Sequence, residues 1–90
     1  MRILLVEDEP EMVSALRAAL TRHDMVVDHA GSLAEAEDFV AMDGYDAILL
    51  DRQLPDGDGL SLVPRLRAGG DTTPVLMLTA KGDTADKVDG

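Results

Sequence analysis

In this 90-residue chain, three short apolar runs are each followed directly by side chains that could take part in chemistry. Glu7 and Asp8 follow the run ILLV, Asp51 follows AILL, and Thr79 follows VLML. Short apolar runs bounded by turn residues are typical of strands that are buried on both faces of a sheet. Open α/β sheets bind their ligands at the carboxyl ends of such strands. These four side chains are therefore placed where a functional site is expected.

The order of elements along the chain predicts a parallel sheet. Strands are expected at 2–6, 25–30, 47–51 and 75–79, each followed by a helix, the last of which begins near residue 83. Strictly alternating strands and helices predict an α/β fold with helices on both faces of the sheet.

Two helix starts carry recognisable signals. Asp8 is a candidate N-cap of the first helix, and Pro10 lies in its first turn, where a missing N–H costs nothing. Ser32 and Glu35 have the spacing of a capping box at the start of the second helix.

The third helix presents a conflict. Leu60, Val63 and Leu66 have helical spacing, and Gly69-Gly70 is a good C-terminal signal. Pro64 lies between them, where a helix interior would kink or lose about 3 kcal/mol.

The strand ends bring Glu7, Asp8, Asp51 and Thr79 to one edge of the predicted sheet. Taken singly, each has an ordinary structural interpretation: a helix cap, a turn residue or a β-branched strand residue. Their arrival at three strand ends favours a shared site, and gathered hard oxygen ligands suit Mg²⁺.

Composition excludes several function classes. Eight Lys and Arg against eighteen Asp and Glu give a net charge of −10, which argues against nucleic-acid binding. The apolar runs are too short to cross a membrane, and no targeting signal is recognised. The absence of cysteine excludes disulfides and thiolate metal sites, and agrees with a cytoplasmic location. The length predicts a single domain.

Three motifs in register carry a family resemblance: ILLVEDE at 3–9, LLDRQLPDGDGL at 49–60 and PVLMLTA at 74–80. With them the whole chain resembles the receiver domain of two-component response regulators, most closely those of the OmpR/PhoB group. The resemblance implies a flavodoxin-like doubly wound parallel sheet with strand order 2-1-3-4-5.

The resemblance also implies residue roles. Asp51 would be the phosphoacceptor, taking a phosphoryl group from a sensor histidine kinase. Asp8 would ligate Mg²⁺ directly, Glu7 mostly through water, and Asp51 and the backbone carbonyl of Gln53 would complete the protein's ligands. Thr79 would be the switch hydroxyl. The chain would be a signalling module that controls a transcriptional output domain, and would not be an enzyme.

The chain departs from the family pattern after its fourth strand. Receivers continue into a fifth strand with a lysine, and Lys81 does not occupy that position. We therefore expect residues 1–90 to form a receiver domain that is incomplete at its C-terminus, with order 2-1-3-4. The exposed edge and uncovered sheet surface would favour a homodimer.

Two alternatives to a phosphoaccepting receiver are open. The chain could serve only as a folding or dimerisation module with impaired phosphorylation. It could also be another protein on the same topology. A haloacid-dehalogenase-type phosphatase, however, needs an aspartate where Gln53 stands, and a flavodoxin needs a Ser/Thr-rich loop after the first strand.

Other polar residues receive structural interpretations. His23 and His29 lack partners at metal-binding spacing and are expected to be structural or surface residues. Asp56 and Asp58 are expected to serve in turns and as N-caps.

Overall fold

A computed structural model describes residues 1–42 and 44–78 of the chain. The helices are α1 (Pro10–Thr21), α2 (Leu33–Met42) and α3 (Leu62–Ala68), and a 3₁₀ helix (Gly59–Ser61) precedes α3. The strands are β1 (Arg2–Val6), β2 (Val26–Ala30), β3 (Ala47–Asp51), β4 (Gln53–Leu54), β5 (Gly57–Asp58) and β6 (Val75–Leu78). The predicted helix at 83–88, like Lys81 and Thr79, lies outside the described residues.

The main sheet has the predicted parallel topology. Its strand order is β2-β1-β3-β6, which is the expected order 2-1-3-4 with β6 as the fourth long strand. β1 lies at the centre, where Leu4, Leu5 and Val6 have no exposed surface. The register pairs Val6 with Leu50, so β1 and β3 end side by side. This register brings the residues that follow the two strands to one edge.

Helices cover both faces of the sheet, as the alternation of elements predicts. On one face, Leu4, Val6, Ile48 and Leu50 pack with residues of α2 and α3 in the larger core. On the other face, Leu5 and Val27 pack against α1 through Val13, with Leu16 and Leu20 partly buried beside them. The architecture is therefore doubly wound.

The prediction of Asp8 as the N-cap of α1 is wrong. The N-cap is Glu9, which makes no side-chain capping bond, and Pro10 occupies the first helical turn as expected. The Glu7 carboxylate instead accepts the backbone N–H groups of Asp8 and Glu9. Glu7 thus binds the backbone N–H groups that lead into α1, and Asp8 is exposed.

One of the two hydrogen bonds that the capping-box prediction requires is present at the start of α2. Ser32 Oγ accepts the N–H of Glu35 at 3.2 Å, as expected. The Glu35 carboxylate reaches back one residue further than predicted and accepts the N–H of Gly31 at 2.8 Å.

Pro64 does not interrupt a helix, because α3 begins later than predicted. Leu60 belongs to the preceding 3₁₀ helix and is 43% exposed, whereas α3 starts at Leu62. Pro64 therefore lies in the first turn, where its missing N–H leaves no α-helical bond unmade. The C-terminus fits the prediction, with Gly70 at φ 85° and a bond of 2.9 Å from Asp71 N–H to Leu66 O.

Among residues 1–42 and 44–78, no helix is long and apolar enough to cross a membrane.

Candidate functional site

The site is a cluster of three carboxylates at the carboxyl edge of the sheet. Glu7, Asp8 and Asp51 each offer one carboxylate oxygen such that these atoms lie within 4.8 Å of one another. Glu7 and Asp8 follow β1, and Asp51 ends the neighbouring strand β3. The structure therefore brings together the three acidic residues that the sequence predicted to meet.

Glu7 is the buried member of the cluster, with only 4% of its surface exposed. Burial raises the pKa of its carboxyl group, and the neighbouring charges of Asp51 and Asp8 raise it further. The N–H groups of Glu9 and Asp8, each 3.1 Å from Glu7 Oε2, act in the opposite direction. The ionised form of Glu7 is thus disfavoured, first by burial and then by the neighbouring negative charges.

The backbone around Asp51 is closely packed against Gly59. The N–H of Gly59 donates to the carbonyl of Arg52 at 2.7 Å, which closes the loop that follows β3. A Cβ atom at position 59 would lie 1.9 Å from the Asp51 carbonyl oxygen. Only glycine allows the loop to return this closely to the end of β3.

Gln53 lies in a short hairpin that the sequence did not predict. β4 and β5 pair antiparallel, with Gln53 opposite Asp58 and Leu54 opposite Gly57. Asp58 then caps the 3₁₀ helix by accepting the N–H of Leu60 at 2.9 Å, which confirms its predicted role. Two-residue strands have no hydrophobic periodicity, so the turn residues of this segment predict a turn but not the pairing of β4 with β5.

Asp56 caps a helix, as expected, but the helix is not one that begins nearby in sequence. Its two carboxylate oxygens accept the N–H groups of Leu33, at 2.8 Å, and Ala34, at 3.0 Å. These bonds connect the turn of the hairpin to the start of α2. No local sequence pattern predicts this pairing, because its partners are more than twenty residues apart.

The histidines agree with their structural interpretation. His29 Nε2 lies 2.7 Å from the backbone carbonyl oxygen of Glu7, so the ring joins the end of β2 to the end of β1. His23 is exposed beyond the end of α1.

The donor set of the cluster fits a hard divalent cation. Glu7, Asp8 and Asp51 supply carboxylate oxygens only, which are the ligands that Mg²⁺ prefers. Burial and the charges of Asp51 and Asp8 raise the pKa of Glu7, so a nearby positive charge would stabilise its ionised form. Thr79, predicted to stand at the same edge, lies outside the described residues.

Comparison with known proteins identifies a family for nearly the whole chain. The family model described as the response regulator receiver domain matches residues 3–90. The chain is 41% identical over 90 residues to the transcriptional regulatory protein DltR of Streptococcus agalactiae, covering 100% of this chain and 40% of that protein. It is 46% identical over 91 residues to the transcriptional regulatory protein TcrA of Mycobacterium tuberculosis, covering 99% of this chain and 35% of that protein.

Solved structures show the same fold. The BeF₃-activated N-terminal receiver domain of Klebsiella pneumoniae RstA is 32% identical, with a TM-score of 0.80 over 99% of this chain and 78% of that one. The response regulator TrrA of Thermotoga maritima, solved with Mg²⁺ and BeF, is 28% identical, with a TM-score of 0.74 over 84% of this chain and 64% of that one. The present chain spans 35% of TcrA and 40% of DltR, so it corresponds to one part of such proteins.

Proposed function

Because this chain belongs to the response regulator receiver domain family of two-component signalling proteins, we propose that it accepts a phosphoryl group on Asp51. The observation that carries the proposal is the meeting of Glu7, Asp8 and Asp51 within 4.8 Å. A lone exposed aspartate would be an ordinary surface residue, whereas three gathered carboxylates next to a strand end need a cation to balance them.

We propose Mg²⁺ as that cation. Asp8 and Asp51 would bind it directly, Glu7 mostly through a water molecule, and the backbone carbonyl of Gln53 would add a neutral ligand. When bound, the metal supplies charge neutralisation on the oxygens of the transferring phosphoryl group.

The chemical step belongs to Asp51. One of its carboxylate oxygens attacks the phosphorus of a phosphohistidine and forms an O–P bond while the donor's N–P bond breaks. The electron pair of that bond leaves with the imidazole nitrogen, which takes up a proton, and the product is an aspartyl phosphate. The chain's own part is positioning: the loop closed at Gly59 packs against the Asp51 backbone and holds this residue at the end of β3. Thr79 is proposed as the hydroxyl that then binds the phosphoryl oxygens.

The donor partner would be a sensor histidine kinase, in the cytoplasm. Relatives such as DltR and TcrA are named transcriptional regulatory proteins and are longer than this chain. Control of transcription through an output domain is therefore part of the proposal for the whole protein, while residues 1–90 would act as the receiver domain.

The test uses a small phosphodonor. Acetyl phosphate with MgCl₂ is expected to raise the intact mass by one phosphoryl group, and the gain should disappear with EDTA and in Asp51→Asn. Asp38→Asn, which removes an exposed carboxylate of α2, is the matched control and should still be phosphorylated. The absence of any mass gain in the wild type, or its persistence in Asp51→Asn, would contradict the proposal.

A second candidate function is an assembly module that has lost phosphorylation. The observation in its favour is Leu76 on β6, which is 58% exposed, together with an outer edge of β6 that pairs with no strand in the described part of the chain. Exposed strand edges and apolar side chains favour pairing with another copy. Light scattering is expected to give a dimer whose mass is unchanged in Asp51→Asn and reduced in Leu76→Lys. A monomer at working concentration would contradict dimerisation.

A further inference from the structure

We propose that Asp56 is a positioning residue for the metal site, because it fixes the loop that carries the Gln53 carbonyl to the N-terminus of α2. The inference rests on the proposed Mg²⁺ site and adds a residue to it that does not itself contact the metal. We call residues 52–59, from the end of β3 to the start of the 3₁₀ helix, the hairpin loop.

The attachment consists of two hydrogen bonds from one side chain. Asp56 Oδ1 accepts the N–H of Leu33 at 2.8 Å, and Oδ2 accepts the N–H of Ala34 at 3.0 Å. Both donors are among the first N–H groups of α2, which have no partner within the helix. These amides hold the pKa of the Asp56 carboxyl below its usual range, as expected where they stabilise its ionised form.

The hairpin loop packs on α2 at the same place. Gly57 has φ 147°, and a Cβ atom there would lie 3.1 Å from Leu33 Cδ1, so the turn passes directly over that side chain. Leu54 is buried in the larger core together with Leu33. The turn of the hairpin is thus seated on the first residue of α2.

The Gln53 carbonyl depends on these attachments because of how the hairpin is built. Among the described residues, β4 pairs with β5 alone and with no strand of the main sheet. The sheet's hydrogen bonds therefore do not fix where β4 stands relative to Asp51. Closure at Gly59, the ion pair of Arg52 with Asp58, burial of Leu54 and the two bonds of Asp56 contribute to its position instead.

A backbone carbonyl can serve as a metal ligand only if the backbone is held in place. Mg²⁺ demands near-ideal octahedral geometry at short distances, so small shifts of a ligand are costly. Residues that orient metal ligands commonly contribute about 10- to 100-fold in metal affinity. Asp56 would act in this way on a ligand three residues away.

The experiment compares two variants that both remove hydrogen bonds at the same helix end. Asp56→Ala removes the two bonds that tie the hairpin loop to α2. Ser32→Ala removes a bond within the helix start, from Glu35 N–H to Ser32 Oγ, and leaves the hairpin loop attached. Both variants lose hydrogen bonds that cap the same helix end, so the two should have similar stability.

Mg²⁺ affinity of the full chain is measured by calorimetry, with thermal unfolding recorded in parallel. We expect the Mg²⁺ dissociation constant to rise about tenfold in Asp56→Ala and to stay within about twofold of wild type in Ser32→Ala. Asp56→Asn should fall between them, because its amide oxygen can accept one of the two bonds. It also keeps the side chain's size if the alanine variant fails to fold.

The outcomes separate this inference from the function on which it rests. If the wild type binds no Mg²⁺, the proposed metal site fails and the role of Asp56 fails with it. If the wild type binds Mg²⁺ and Asp56→Ala or Asp56→Asn binds it equally well, only the positioning role is overturned. Equal weakening in Ser32→Ala would also overturn it, since a general loss of stability would then account for the effect.

Discussion

Ionisation of Glu7 has opposite effects on the stability of the metal-free fold and on the proposed metal site. Burial raises the pKa of its carboxyl group, and Asp51 and Asp8 add to the shift. A raised carboxyl pKa means that the folded state binds the proton more tightly than the unfolded state. Stability is therefore lost as pH rises from the ordinary pKa through the raised one. Ionisation of Glu7 therefore destabilises the metal-free fold.

Glu7→Gln should therefore separate stability from metal binding. The glutamine amide oxygen can still accept the N–H groups of Asp8 and Glu9, but no charge is buried. In EDTA at pH 7 we expect the variant to unfold a few degrees above the wild type. In MgCl₂ the wild type should gain more stability than the variant, because the negative charge of Glu7 then interacts with the bound cation. Thermal unfolding by circular dichroism measures both, and a variant less stable than wild type in EDTA would contradict the prediction.

Substitution of Gly59 tests whether the hairpin loop must approach the Asp51 backbone this closely. A Cβ at this position would lie 1.9 Å from the Asp51 carbonyl oxygen, and backbone cannot move aside as a side chain could. We expect Gly59→Ala to lose about 3 kcal/mol of stability, at the upper end of overpacking costs. Gly44→Ala is the matched control, since its Cβ would meet no atom within 4 Å, and it should change stability by less than about 0.5 kcal/mol. Urea unfolding that showed equal effects for both variants would contradict the structure at this loop.

At the scale of elements, the C-terminal ends of α1 and α3 can be compared. Each helix is followed by a residue at positive φ, which is Asp24 at 62° after α1 and Gly70 at 85° after α3. In each case the next residue donates its N–H back to the helix, from Met25 to the Leu20 carbonyl and from Asp71 to the Leu66 carbonyl. Glycine adopts this conformation freely, whereas an aspartate is strained in it.

Introducing glycine at the first position and removing it from the second should have opposite effects on stability. Asp24→Gly is expected to stabilise the chain by about 0.5 kcal/mol, the strain relieved being partly offset by a freer unfolded chain. Gly70→Ala should destabilise it by about 1 kcal/mol, although its Cβ would meet no atom within 4 Å. Chemical denaturation with both variants measures the two signs. Effects of the same sign would show that these end conformations do not control stability.

The long elements were predictable because their signals are local. Apolar runs gave the four main strands, and the strand ends alone placed Glu7, Asp8 and Asp51 at one edge. What sequence could not give are contacts between distant segments. The N–H groups of Leu33 and Ala34 donate to Asp56, and no sequence pattern near Asp56 predicts these contacts.

The errors in the predicted elements have the same origin. Asp8 has the right type and position for an N-cap, yet the buried Glu7 carboxylate takes the N–H groups at this end. Pro64 conflicted with the predicted helix only because the 3₁₀ helix at Gly59–Ser61 could not be distinguished from the start of α3. Both depend on how the chain enters a helix, which is decided by packing.

At the scale of the whole molecule, two sets of carboxylates in the described part of the chain have opposite pH dependence. Hydrogen bonds lower the pKa values of Asp28, Asp56, Asp58 and Asp71. Their contribution is present above the ordinary carboxyl pKa and is lost as pH falls through the lowered values. Glu7 and the repulsion within a chain of net charge −10 act in the other direction. Stability should therefore be greatest at mildly acidic pH and should decline on both sides.

Asp28 is the residue that tests the acidic side of this profile. It accepts the Tyr45 hydroxyl at 2.7 Å and pairs with Arg2 at 3.0 Å, and the Tyr45 bond is the larger cause of its lowered pKa. Asp28→Asn keeps the shape but loses the charge. The variant should be less stable than wild type at pH 7, and the difference should vanish as pH falls through the lowered pKa of Asp28, because the wild-type carboxyl is then also neutral.

Thermal unfolding from about pH 3 to pH 8 without metal would record both sides of the profile. About 0.5 M NaCl should raise the neutral side by screening repulsion, in wild type and Asp28→Asn alike. Mg²⁺ at matched ionic strength should raise it further, and most where Glu7, Asp8 and Asp51 are all intact. A constant stability difference between Asp28→Asn and wild type across the whole range would show that Asp28 acts through packing and not through its charge.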